Sequence, residues 1–183
     1  VGYPDIVERF TVRPDIETVR RVLRELKSRV EAAPTSIAVD LETRSRLIAC
    51  IGLGWSKWDA ICIPIMCVER PAGYWSPEEE VEIVSLLRDL LTHPNARCIG
   101  QNWQYDYQYI AKYWGFEVNL DLDIMSEHHC QFPGLPKGLD FQSSLYKEYH
   151  IYWKDESKEW RKGEAEDTLW IYNCRDCVTT FEC

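Results

Sequence analysis

An α/β fold, with a mixed central sheet and helices on both of its faces, is what this sequence predicts. Three short apolar runs rich in β-branched residues follow one another at residues 36–43, 47–55 and 60–66, divided by turn-sized polar links. That succession is the mark of an antiparallel meander. Beyond it, segments with apolar residues at helical spacing alternate with further strand-like runs. The resulting order, strand-strand-strand-helix-strand-helix, layers helices on a sheet. The third observation is bulk: 183 residues, 45% hydrophobic and 13% aromatic, suffice for one domain with a substantial core.

In chain order, Pro14-Asp15 opens a helix whose Ile16, Val19, Val22, Leu23, Leu26 and Val30 form one stripe, and Pro34-Thr35 ends it. The first strand is Ser36-Ile37-Ala38-Val39-Asp40-Leu41-Glu42-Thr43. Arg44-Ser45-Arg46 then forms a polar link, within reach of a phosphate or simply solvated as a hairpin turn. Lys57-Trp58-Asp59 turns the chain into the third strand. Ser76-Pro77-Glu78-Glu79 is a helix start, with Ser as cap, Pro in the first turn and Glu three residues after the cap. That helix runs to about Thr92, where His93-Pro94-Asn95 stops it. Residues 96–100 give a fourth strand, Asn102 can cap a helix carrying residues 105–113, and residues 120–123 are a short extended piece leading into Ile124-Met125. After the loop Pro133-Gly134-Leu135-Pro136, Leu139 starts another helix. The charged stretch 154–162 reads as an exposed excursion, and residues 164–181 close the chain as a long helix. There is no internal repeat.

The net charge of −9 argues against a protein that coats duplex nucleic acid, because such binding relies on Lys and Arg neutralising phosphates. It leaves a nucleic-acid substrate open, since bound cations neutralise carboxylates locally. No apolar run approaches a membrane span, and no basic leader with a small-residue cleavage site is present. Of the eight cysteines, Cys50, Cys62 and Cys98 lie in apolar strand-like runs, where a thiol behaves as a small hydrophobe. Cys174-x-x-Cys177 is the only CxxC, and no second pair completes a structural zinc site. Reduced thiols, and with them an intracellular, cytoplasmic location, are expected. Because the chain starts on Val and stops on Thr179-Thr180-Phe181-Glu182-Cys183 without a helix-stop signal, it is expected to be a piece of something longer.

Chemistry concentrates in four carboxylates. Side chains alternate along a strand, so Asp40 and Glu42 project from one face at the end of a hydrophobic run. Adjacent acids repel and resist desolvation, and a divalent cation is the usual compensation; a hydrated strand end is the alternative. In Gly100-Gln101-Asn102-Trp103-Gln104-Tyr105-Asp106 a strand ends and an acid sits early in a helix, where the helix dipole alone would favour it. In Trp170-Ile171-Tyr172-Asn173-Cys174-Arg175-Asp176, Tyr172 and Asp176 are four apart and share a helical face with Leu169 and Thr179 or Thr180. That face looks inward, and an acid on it needs a partner.

Together, Asp40-x-Glu42, Asn102-x-x-Tyr105-Asp106 and Tyr172-x-x-x-Asp176 resemble, in order, the three motifs of the DEDDy 3′–5′ exonucleases. The segment from Gly100 to Asp106, and Asp123-Ile124-Met125, look most like the proofreading domains of A-family DNA polymerases. Leu139-Asp140 with Ser144-Leu145-Tyr146, then Lys154-Asp155-Glu156 with Lys158 and Trp160, look similar to phage-encoded members. The His-type branch of that superfamily carries His five residues before the last Asp; Ile171 stands there, which favours the Tyr type. The resemblance implies a ribonuclease H-like fold and one exonuclease domain over residues 1–183, with residues 1–30 as an N-terminal extension. It further implies two divalent cations, Mg²⁺ or Mn²⁺. Asp40, Glu42, Asp106 and Asp176 would be the metal ligands, Glu42 and Tyr172 would orient the attacking water, and Asn102 would contact the terminal nucleotide unless capping accounts for it. The implied partners are a single-stranded DNA 3′ end and a polymerase domain in cis, with no membrane. If phage-encoded, the chain would work in the host cytoplasm. Trp103, Tyr105 and Tyr107 could stack on bases. Two alternatives stay open: a ribonuclease D-like RNA exonuclease, and a catalytically silent scaffold or DNA-binding module of the same fold.

Overall fold

The computed structural model describes residues 6–148 and 166–183. The charged stretch 154–162 and the first two residues expected in the closing helix lie outside them. Six strands form one sheet: β1 (Phe10–Thr11), β2 (Thr35–Arg44), β3 (Leu47–Gly54), β4 (Ala60–Pro64), β5 (Ala96–Gly100) and β6 (Leu120–Asp123). Their spatial order is β1-β4-β3-β2-β5-β6. The meander β2–β3–β4 is antiparallel, while β5 joins β2, β6 joins β5 and β1 joins β4 in parallel. The helices are α1 (Ile16–Ala32), α2 (Pro77–Leu91), α3 (Trp103–Tyr109), α4 (Ile124–Gln131), α5 (Leu139–Tyr146) and α6 (Asp167–Glu182). This is the mixed sheet, covered on both faces, that the strand and helix order predicts.

Alternation along β2 sorts the molecule into its two layers. Ile37, Val39 and Leu41 meet Ile51, Leu53, Ile61 and Ile63 on one face, where the stripe of α1 and Ile83, Leu87, Leu90 and Leu91 of α2 complete the larger core. The opposite face is built of small residues: Ala38, Cys50, Ala60 and Cys62 pack against Trp170, Cys174, Cys177 and Val178 of α6. Small side chains let α6 lie close to the sheet. A Cβ on Gly54 would stand 3.1 Å from the Cys177 backbone, tighter than nearly all real contacts of that kind. The cysteines serve here as compact apolar filler, and all eight thiols are free.

Local chemistry explains most boundaries. Asp15 accepts from the Thr18 N–H at the start of α1, and Ser76 with Glu79 forms a reciprocal capping box at the start of α2. Ser45 and Arg46 both take positive φ, +52° and +63°, making the tight two-residue hairpin between β2 and β3. Arg44 is neither solvated nor poised for a phosphate: it pairs at 2.9 Å with buried Glu166, tying the end of β2 to the start of α6. Three other expectations need correcting. Strand β4 stops at Pro64 and not at Met66. The N–H groups of Ile65 and Met66 both turn to the Ala49 carbonyl, the residue that bulges from β3 opposite Glu42 and Thr43. The helix expected to follow Asn102 and carry residues 105–113 does start at Trp103, but it passes into a π-helical segment at Ile110–Trp114, closed by Gly115 at φ +71°. Residues 120–123 are extended as expected and pair with β5 as the edge strand. Finally, the stretch before residue 30 is integral: Phe10–Thr11 adds a strand, and Val19, Val22, Leu23, Leu26 and Val30 are all buried.

Candidate active site

Three of the four acids converge. Carboxylate oxygens of Asp40, Glu42 and Asp176 all lie within 4.8 Å of one another. Two come from the strand alternation of β2 and the third from the inward face of α6, which the small-residue layer allows to approach. Asp40 and Glu42 are half-buried and Asp176 is buried, at 6% exposure. The β3 bulge falls immediately beyond Glu42, a common device for re-aiming side chains beside a site. Among the described residues, this is the one set of three His, Cys, Asp or Glu side chains arranged to hold a metal ion.

Asp106 stands against this trio from α3. It is 4% exposed, and its Oδ1 accepts from the Leu41 N–H at 2.8 Å, a bond that locks α3 to β2 between the two strand acids. Burial pushes its carboxyl up to about 7, against the lowering effect of the Leu41 N–H and with further raising by Asp123 and Asp176. Asp40 is held well above the usual carboxylate range, first by burial and then by the charges of Asp106, Asp176 and Glu42. Four acids gathered in one place and offering only oxygen donors, two of them held above the usual carboxylate range, are a fitting environment for a hard divalent cation such as Mg²⁺ or Mn²⁺. A cation there removes the repulsion that otherwise has to be relieved by protonation.

A cleft of about 400 Å³ opens onto the acids, lined by Asp40, Asp106 and Asp176 together with Gln101, Asn102, Tyr105, Met125 and the segment 137–140. Asn102 is at this cleft but does not cap α3. Its backbone is left-handed, φ +56°, and its side chain makes no capping bond. Asp123 does that work from the neighbouring strand. Its two oxygens accept from the Asn102, Trp103 and Met125 N–H groups at 3.0, 3.1 and 3.0 Å, serving the starts of α3 and α4 together. The Asn102 side chain is thereby left on the cleft wall, exposed. Tyr172, 9% exposed, packs with Ile124 and with Leu139, which lines the cleft. Of the aromatics considered for stacking, Trp103 is buried in the core, whereas Tyr105 and Tyr107 are each 40% exposed. Tyr105 lines the cleft and its hydroxyl pairs with the Thr43 hydroxyl at 2.6 Å.

The sequence reading missed Asn173. It is fully buried and its amide Nδ2 donates to Asp40 twice, at 2.8 Å to Oδ2 and 3.2 Å to the main-chain oxygen. It stands beside Tyr172 in a motif read for Tyr and Asp alone. The signal available was its α6 position one turn ahead of Cys177, facing the small-residue layer. His128, buried on α4, is engaged elsewhere: its ring nitrogens pair with the Tyr146 hydroxyl at 2.8 Å and the Pro136 carbonyl at 3.1 Å.

Fold and acids together define a ribonuclease H-like architecture with a carboxylate cleft at the end of its central strand. Solved nucleases share it. Escherichia coli RNase D, described as an exoribonuclease involved in structured RNA processing, matches 99% of this chain with a TM-score of 0.64 and 17% identity. Trypanosoma brucei RNase D in complex with GMP matches 96% with a TM-score of 0.68 and 14% identity. The EXO domain of Aedes aegypti Nibbler matches 96% with a TM-score of 0.66 and 13% identity. The chain spans 43% of the first of these proteins, 56% of the second and 85% of the third. At such identities the likeness establishes the fold. No protein family and no curated protein matches the sequence. No described helix is long and apolar enough to cross a membrane.

Proposed function

We propose that this chain is a metal-dependent 3′–5′ exonuclease domain that removes nucleotides from single-stranded or frayed DNA ends. The observation that carries the reading is the convergence of Asp40, Glu42 and Asp176 within 4.8 Å beside buried Asp106. In the reaction, a water oxygen attacks the terminal phosphorus and the bond to the penultimate 3′ oxygen breaks. That oxygen takes a proton, and a nucleoside 5′-monophosphate leaves. Two divalent cations, when bound, supply a hydroxide at neutral pH and neutralise the charge building on the leaving oxygen.

The chain's own residues do the rest. Asp40, Glu42 and Asp176 hold the cations, and Asp106 contributes from α3, where the Leu41 N–H fixes its orientation. A phenol, which ordinarily titrates at about 10, is a poor base at neutral pH, so Tyr172 acts by holding the water through a hydrogen bond, together with Glu42. Asn102 and Tyr105 at the cleft wall receive the terminal nucleotide. A paired end must melt to enter a cleft of about 400 Å³, which supports single-stranded or frayed ends as the substrate. The likeness of Gly100 to Asp106 and of Asp123-Ile124-Met125 to A-family polymerase segments supports proofreading beside a polymerase domain in cis.

RNA is the second reading, favoured by the ribonucleases among the structural matches. The test is direct. Matched 5′-labelled DNA and RNA single strands are incubated with Mg²⁺ or Mn²⁺, and cleavage is read as a ladder shortening from the 3′ end. Faster shortening of DNA supports the first reading and of RNA the second. Absence of both, with metal bound, leaves the silent scaffold.

A further inference from the structure

We infer that Asn173 is a positioning residue for Asp40, setting that carboxylate in its metal-binding orientation; the inference rests on the metal-site reading above. Directly across the β2–β3 ladder from Asp40 is Gly52. A Cβ on Gly52 would lie 2.4 Å from Asn173 Oδ1 and 2.6 Å from Cys177 Sγ, so only glycine leaves the niche that the Asn173 side chain fills. Glycine, asparagine and aspartate therefore form one packed unit contributed by three segments: β3, α6 and β2.

The amide can face only one way. Its nitrogen sits 3.2 Å from the Asp40 main-chain oxygen, which can only accept, so the same NH₂ group must donate its other hydrogen to Asp40 Oδ2. The donor on Oδ2 pins the carboxylate's rotation, leaving the other oxygen for a ligand. The arrangement leaves Asn173 Oδ1 buried with no hydrogen-bond partner among the described residues. An orphaned buried acceptor costs stability, and an apolar residue of the same shape would avoid that cost. Retaining it makes sense where the donor serves a ligand, as groups behind metal ligands do.

The experiment measures Mn²⁺ binding to the whole chain by calorimetry, without nucleic acid, for the wild type, Asn173→Ala and Asn173→Leu, alongside metal-free melting. Leu fills the niche without a donor, so it separates packing from hydrogen bonding. The expected result is Mn²⁺ affinity weakened about 10- to 100-fold in both variants, the range for losing a group that orients a metal ligand. Asn173→Leu should still melt cooperatively without metal, which shows that it is folded. The Mn²⁺ concentration for half-maximal hydrolysis should rise by the same factor, with the rate recovering at saturating metal. Wild-type affinity in a folded Asn173→Leu variant would overturn the inference. A wild type that binds no Mn²⁺ would instead overturn the metal-site reading itself.

Discussion

Replacing Asp106 by Asn removes a charge from the site while leaving an oxygen to accept from the Leu41 N–H. The consequence for stability can be worked out. In the folded, metal-free protein the Asp106 carboxyl titrates at about 7 instead of 3.8, chiefly through burial. Between those values the native state holds a proton that the unfolded state has lost. Stability therefore falls as pH rises through this window, by about 1.36 kcal/mol per pH unit at most. From pH 5 to pH 7 that amounts to about 2 kcal/mol, because the slope already halves at the folded value, and above 7 the loss levels off because both states are ionised. The asparagine side chain of the variant cannot titrate. In EDTA, Asp106→Asn should then be more stable than the wild type at pH 8, with the advantage shrinking by about 1–3 kcal/mol at pH 5. Urea unfolding at the two pH values measures it, and Mn²⁺ added at pH 8 should narrow the gap by stabilising only the wild type strongly. A gap that is absent, or equal at both pH values, would refute the claim that burial strains this carboxylate.

Two further substitutions separate roles around the cleft. Tyr172→Phe keeps the ring packed against Ile124 and Leu139. It should retain Mn²⁺ binding and lose roughly 10- to 1,000-fold in single-turnover rate, the range for one catalytic hydrogen bond or proton-transfer group. An unimpaired rate would remove Tyr172 from the chemistry, with Tyr172→Ala then showing only a melting loss. Asp123→Ala leaves the Asn102, Trp103 and Met125 N–H groups without their acceptor. Stability should drop by about 1–3 kcal/mol, as for lost helix caps and unpaired buried donors. The hydrolysis rate should drop too at temperatures where the variant is still folded, because α3 carries Asp106; an unchanged rate there would dissociate the α3 start from the site.

The central strand and its acids were legible because β2 obeys a two-residue period: Ile37, Val39 and Leu41 declare one face, and Asp40 and Glu42 can only share the other. Asp176 and Tyr172 were legible for the corresponding helical reason. What escaped depends on contacts between distant segments. Strand β1 is two residues long, and only its pairing with β4 makes it a strand. Asn102 has the residue type of a cap, yet its side chain makes no capping bond, and Asp123 on the neighbouring strand accepts from the Asn102 and Trp103 N–H groups instead. Arg44 looked solvent-bound until Glu166 came beside it across the fold. Asn173 and Gly52 carry no local signal of being one unit, since their fit exists only once α6 is laid on β3. The π-helical turn at Ile110–Trp114 has no sequence mark that helical periodicity detects.

Hydrolysis by Asp40→Ala tests the account most directly, since this one carboxylate belongs to the trio, feels the charge of Asp106 and accepts from Asn173. Wild type and variant are given a 5′-labelled single strand with Mn²⁺, with and without EDTA, and the released product is identified. The wild type should shorten the strand from its 3′ end, release nucleoside 5′-monophosphates and stop in EDTA. The variant should show an unchanged far-UV circular dichroism spectrum and no turnover. Undiminished, metal-dependent shortening by the Asp40→Ala protein would contradict the assignment of this cleft as the active site.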